Sequence, residues 1–174
     1  MQFKHVMWYN QLGELMKIII FAVSILLILL DQLFKYLVSS NMILYESIEI
    51  IPKFLSITYV ENSGGAFSIL SGGRWFFIIV GLISLYFIFR FIMLDSKVSN
   101  FDKVSYSLVL SGIVGNLIDR IFLGKVIDYI DFNLFGYDAP IFNFADICIV
   151  IGAFMIIIIL LVRGDCNENI YSRK

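Results

Sequence analysis

The chain is poor in the residues that most enzymes use for chemistry. It has one histidine, His5, two cysteines, Cys148 and Cys166, and two prolines, Pro52 and Pro140, among 174 residues. A lone histidine in the N-terminal segment argues against a histidine-based triad or metal site. Two cysteines are too few for a disulfide framework, and no C-x-x-C or Cys/His cluster has ligand spacing, so no metal or other cofactor is expected. Charge is scarce as well. Charged residues make up 16% and the formal net charge is -1, which leaves no broad basic surface for nucleic acid. No internal repeat, low-complexity linker or second domain is visible. What the chain has in abundance is apolar residues, 60% of the total, with a mean hydropathy of +0.90. That composition is of an integral membrane protein.

Four membrane spans are expected, at about 16–38, 75–94, 104–123 and 139–162. The first is read as a retained helix, because "DQLFKYLV" after it lacks the small residues of a signal-peptide cleavage site. Residues 1–15 read as an N-terminal extension, 16–162 as a single membrane domain and 163–174 as a tail. Crossing hydrocarbon takes about 20 helical residues. The uncharged runs Ile18–Leu30, Val104–Ile118 and Ile147–Val162 fall short of that. To span, helix 1 must take in Asp31 and Lys35, helix 3 Asp119 and Arg120, and helix 4 Asp146. Alternating direction puts all five at one face of the bilayer. Arg90 falls near the other face, where it can snorkel.

Of the 13 Lys and Arg residues, eight lie in 1–17, 90–103 and 163–174 and five on the opposite side. The positive-inside rule then makes both termini cytoplasmic and the polar face extracytoplasmic. There, residues from about 45 to 73, rich in β-branched and aromatic side chains, read as a small β-sheet with a tight turn at Asn62–Gly65. The stretch "GKVIDYIDFNLFGYDAP" reads as an extracytoplasmic loop between helices 3 and 4. The fold class is therefore mainly α, with four transmembrane helices and a small surface sheet.

Each polar cluster has an ordinary explanation. Asp31 and Lys35 are an i,i+4 ion pair. In "NFAD", Asn143 can cap helix 4 while Asp146 meets its dipole. Asn116, Asp119 and Arg120 in "GNLIDR" can be interhelical glue. With no histidine base, the strongest catalytic option is a pair of carboxylates. Repulsion keeps one protonated while the other takes a proton from attacking water. Asp146 suits the ionised role, and spacing leaves Asp119, Asp128, Asp131 and Asp138 open as its partner.

In order, "DQLFK", "NSGGAF", "GNLIDR", "KVIDYI" and "FNFAD" resemble the conserved blocks of bacterial lipoprotein signal peptidase, signal peptidase II, over residues 16–162. The resemblance implies an aspartic endopeptidase of the bacterial cytoplasmic membrane. Its substrates would be prolipoproteins carrying a diacylglyceryl group, cut on the amino side of the lipidated cysteine. Asp128 and Asp146 match the catalytic aspartates. Asn62, Gly64, Gly112, Asn116, Asp119, Arg120 and Asn143 match positions that line or brace the site, and Asp31 with Lys35 a supporting pair. Asp131 and Asp138 read as solvated loop acids. The expected partners are the lipidated precursor and membrane lipid, and the protein is expected to act as a monomer. A proton-coupled transporter and a non-catalytic assembly factor are the competing classes; one polar face without repeats disfavours the transporter.

Overall fold

The computed structural model describes the backbone of residues 2–65, 69–94, 99–134 and 137–171, and side chains over 14–65, 69–92, 99, 101–133 and 139–162. Four helices, α1 (Gln2–Asn41), α2 (Arg74–Leu94), α3 (Asn100–Phe122) and α4 (Phe144–Tyr171), carry four strands between them. Three of the helices contain stretches long and apolar enough to cross a membrane: Glu14–Asn41, Arg74–Ile92 and Phe144–Val162. Their outward faces expose large apolar side chains such as Leu29, Phe76, Phe87 and Leu160. Such faces suit contact with hydrocarbon, since the backbone polar groups of a helix are already paired within it.

The third helix differs in composition because it packs on the other three. It buries Ser105, Ser107, Ser111 and Asn116 as well as Val109 and Leu117. Small residues allow close backbone approach, and hydroxyls bond across helices. From α1, the residues Ile20, Ser24, Asp31, Lys35 and Val38 are buried, spaced as one helical stripe. Within that stripe Ser24 Oγ donates to the Ser107 carbonyl and Ser107 Oγ to the Ile20 carbonyl, each at 3.2 Å. Against α4, a Cβ built on Gly112 would lie 2.6 Å from Ile149 Cγ1, and one on Gly152 would lie 2.6 Å from Val109 Cγ2. Gly112→Ala is therefore expected to cost about 1–3 kcal/mol of stability by overpacking. Thermal unfolding in detergent checks this, and an unchanged midpoint would contradict it.

The sheet is antiparallel in the order β1 (Ser47–Ile51), β2 (Leu55–Asn62), β3 (Val126–Leu134) and β4 (Tyr137–Asp138). Three sequence expectations change here. The hairpin turns at 52–54, where Lys53 takes a φ of 59°, while Asn62 ends β2 and Asn62–Gly65 leads the chain away from the sheet. The stretch between helices 3 and 4 is not a plain loop: β3 is the sheet's third strand. Helix 4 starts at Phe144 rather than near 139, because Phe142 pairs with Ile130 of β3 through hydrogen bonds of 2.7 and 3.1 Å. The first helix also runs unbroken from Gln2 through the segment expected to precede the span.

Candidate active site

The backbone brings the site together in two steps. On β2, one extra residue is inserted between Ile57 and Val60, so that Val60 faces Asp128 across the ladder and Asn62 ends the strand beside it. Such a bulge re-aims the side chains that follow it. Pairing of Phe142 with Ile130 then returns the chain to β3, which sets Asn143 and the first turn of α4 next to Asp128.

Asn143 is fully buried and holds both aspartates. Its Nδ2 donates to Asp128 Oδ1 at 2.7 Å, and its Oδ1 accepts the Asp146 backbone N–H at 3.0 Å. Asp146 Oδ2 accepts the Asn143 backbone N–H at 3.2 Å. This is the reciprocal cap that the N-x-x-D spacing permits, with Asn143 as cap and Asp146 three residues on. The ordinary explanation of "NFAD" is thus geometrically correct, and it coexists with the site.

The other oxygen of each carboxylate also accepts from an amide. Asn62 Nδ2 donates to Asp128 Oδ2 at 2.9 Å, and Asn116 Nδ2 to Asp146 Oδ1 at 2.8 Å. Asp128, 3% exposed, is pushed up to about 6 by burial and then by the charge of Asp146, against the amides of Asn62 and Asn143 and the more distant Lys35. Burial, and next the nearby Asp31, also raises the Tyr129 phenol, whose oxygen accepts the Phe144 N–H at 3.3 Å.

Beneath the aspartates lies a buried charge cluster. Lys35 Nζ is 2.9 Å from Asp31 Oδ2 and 2.9 Å from Asp119 Oδ2, all three side chains being 2% exposed. Asp31 Oδ1 accepts the Ala145 N–H in the first turn of α4 at 2.9 Å, where the helix dipole favours an anion. Gly115 leaves room for that carboxylate, since a Cβ there would stand 2.5 Å from Asp31 Oδ2. Asp119 Oδ2 takes the Ile127 N–H at 3.2 Å and so pins the start of β3.

Arg120 lies at the rim. It donates to the Gly64 carbonyl at 3.0 Å and stacks 4.8 Å from the centre of the Phe77 ring. Gly64 in turn gives its N–H to Asn62 Oδ1 at 2.9 Å. Above the carboxylates a cavity of about 540 Å³ is lined by Asn62, Asn116, Arg120, Asp128 and Asp146, with Ile147, Val150 and Ile151 of α4 among its apolar wall. A carboxylate pair in a mostly apolar cleft can activate water and receive an apolar peptide or acyl group.

Comparison with known proteins identifies the family. The family model of signal peptidase (SPase) II matches residues 23–162. The chain belongs to the signal peptidase II family. Lipoprotein signal peptidases of Staphylococcus aureus strains JH9 and Newman are 44% identical over 139 residues, covering 80% of this chain and 85% of each relative. Two solved structures titled as a bacterial membrane enzyme match with TM-scores of 0.79 and 0.75, at 41% and 42% identity. They cover 83% and 82% of this chain and 88% and 92% of their own. The family, together with the apolar helices, supports a bacterial membrane location.

Ten of the eleven residues singled out from the sequence lie in or against the site, and Gly112 acts one turn away at the α3–α4 contact. Asp131 is not a solvated loop acid. It is half-buried on β3 and accepts the Thr58 hydroxyl at 2.7 Å. The Asp138 side chain lies outside the described residues. Sequence reasoning missed Gln32, whose Nε2 reaches Asp31 Oδ2 at 3.2 Å and Asp119 Oδ1 at 3.1 Å. Its signal was a polar amide beside Asp31 at the end of the apolar run Ile18–Leu30.

Proposed function

We propose that the protein removes the signal peptide from diacylglyceryl-modified prolipoproteins, as an aspartic endopeptidase cutting on the amino side of the lipidated cysteine. The observation that carries this reading is Asn143 bridging Asp128 and Asp146 at the base of a cleft with an apolar wall. The lipoprotein signal peptidases to which the chain is similar supply the substrate class.

In this mechanism Asp146 is the ionised member. It stands in the first turn of α4, where the dipole favours a negative charge, and faces two N–H donors. It takes a proton from water as the water oxygen attacks the carbonyl carbon before the cysteine. Asp128, held up to about 6, is the protonated member. Both its oxygens already face N–H donors, so its own proton points away from those amides, toward the substrate carbonyl. That proton stabilises the oxyanion. Collapse of the tetrahedral adduct breaks the C–N bond, and the departing cysteine nitrogen takes the proton gained by Asp146. The titration belongs to the pair rather than to either residue alone.

Helix α3 serves as a fourth span, enclosed by the other three, with both termini cytoplasmic and the cleft at the extracytoplasmic surface. The membrane is the bacterial cytoplasmic membrane. Acyl chains of the substrate stay beside Ile147, Val150 and Ile151 while the peptide reaches the carboxylates. Arg120 braces the Asn62–Gly65 segment over the cleft, and the protein acts as a monomer.

The pH profile follows from the sign of the Asp128 shift. Losing its proton disables the acid, so kcat/KM is expected to fall as pH rises through about 6. The same raised value makes the group's contribution to folding stability complete below 3.8 and lost as pH rises through about 6. Wild type should therefore lose stability relative to Asp128→Asn between those values. Parallel unfolding curves across the range would contradict the assignment. The function itself is tested in bacteria depleted of their own signal peptidase II. Expression of this chain should clear the accumulated lipidated precursor, and persistence of the precursor with a membrane-inserted protein would overturn the proposal.

A further inference from the structure

Lys35 is a buried cation that no step of the proposed reaction consumes. Besides Asp31 and Asp119, its ammonium reaches Asn116 Oδ1 at 3.0 Å. An ammonium only donates, so the Asn116 atom facing it must be the carbonyl oxygen. The amide NH2 is then left for Asp146 Oδ1, at 2.8 Å. The other two asparagines follow the same rule. Asn62 Oδ1 is fixed by the Gly64 N–H at 2.9 Å, and Asn143 Oδ1 by the Asp146 N–H at 3.0 Å, so each turns its NH2 to Asp128. At those two positions the fixing donor is backbone. At Asn116 it is a side chain from another helix. The second donor to Asn116 Oδ1 is Asn143 Nδ2 at 3.2 Å, which is shared with Asp128 at the shorter distance of 2.7 Å.

We propose that Lys35 is a positioning residue for the two-aspartate site: its ammonium fixes the Asn116 amide with its NH2 donating to Asp146. The role rests on the acid and base assignment above. Without the ammonium only the shared Asn143 NH2, at 3.2 Å, still holds the Asn116 oxygen, and the donor to Asp146 is less firmly fixed. The other charged or titratable groups around the pair are Asp31 on α1, Asp119 and Arg120 on α3, and Tyr129 on β3. Glu61 on β2 is engaged by Lys125 and the Tyr59 hydroxyl. Replacing Lys35 alone would change the charge of the cluster, so the informative variant is Lys35→Met with Asp119→Asn. One positive and one negative charge are removed together, and the net charge is kept.

The test is a carboxyl NMR titration of full-length protein, labelled with ¹³C at aspartate side chains, in lipid nanodiscs without substrate. In Lys35→Met/Asp119→Asn the two apparent pKa values of the pair are expected to rise by about one pH unit, the size of losing one donor to a carboxylate. In an Asn116→Ala background the same two replacements should produce little further shift. An equal shift in both backgrounds, or none with Asn116 present, overturns the proposal. If the double variant does not fold, the wild type decides. With ¹⁵N-labelled asparagine, the Asn116 side-chain amide signal should move with the titration of the pair, and a pH-invariant signal overturns the inference. These readouts need no cleavage, so failure of the peptidase assignment and failure of this role are separable.

Discussion

Asp128→Asn and Asp146→Asn are each expected to fold and to lose turnover by roughly 10²–10⁴-fold, the range supplied by one positioned acid or base. Asparagine copies the shape of aspartate but cannot take a proton from water, nor release one to a carbonyl at neutral pH. Asp128 accepts two amide donors at 2.7 and 2.9 Å. An asparagine there satisfies one of them with its oxygen and opposes the other with its own NH2, while removing a buried carboxylate. The structural cost is thus partly offset, and the chemical cost is not. Because the two groups act as one unit, the double variant should be little worse than either single one. Activity within tenfold of wild type in a folded Asp128→Asn would contradict the two-carboxylate mechanism.

Lys35→Met alone should have the largest effect on stability. It leaves Asp31 and Asp119, each 2% exposed, without their shared cation. Breaking a buried pair from one side typically costs about 3–5 kcal/mol, because a buried charge is left uncompensated. Gln32 and the Ala145 N–H still donate to Asp31, which sets the loss toward the lower end. Adding Asp119→Asn should recover part of it. Denaturant unfolding in detergent measures both variants. A loss of under 1 kcal/mol for Lys35→Met, or no recovery in the double variant, would contradict the reading of this cluster.

Much of the site was legible because membrane charges are expensive. Asp31, Lys35, Asp119 and Asp146 stood out as interruptions of apolar runs, and the structure gathers them at one end of the bundle. The i,i+4 spacing of Asp31 and Lys35 gave their ion pair directly. Spacing alone could not choose a partner for Asp146, since Asp128 and Asp146 are brought onto the same Asn143 through a long-range pairing of Phe142 with Ile130 that no local pattern announces. The same pairing delays helix 4 to Phe144 and makes Asp131 a sheet residue bonded to Thr58. The hairpin turn was misplaced for a related reason. Glycines at Asn62–Gly65 gave the stronger local turn signal, yet the ladder between β1 and β2 closes at 52–54, with Lys53 in the left-handed region. The locking of the three asparagine amides is legible only in three dimensions, because each lock depends on a donor from a particular neighbour.

The most direct measurement is mass spectrometry of the products when purified protein meets a prolipoprotein with and without its diacylglyceryl group. The account predicts cleavage of the lipidated precursor alone, giving one product that begins at the modified cysteine and a signal peptide that ends immediately before it. Cleavage at another bond, equal cleavage of the unlipidated precursor, or no cleavage by folded protein in lipid would contradict it.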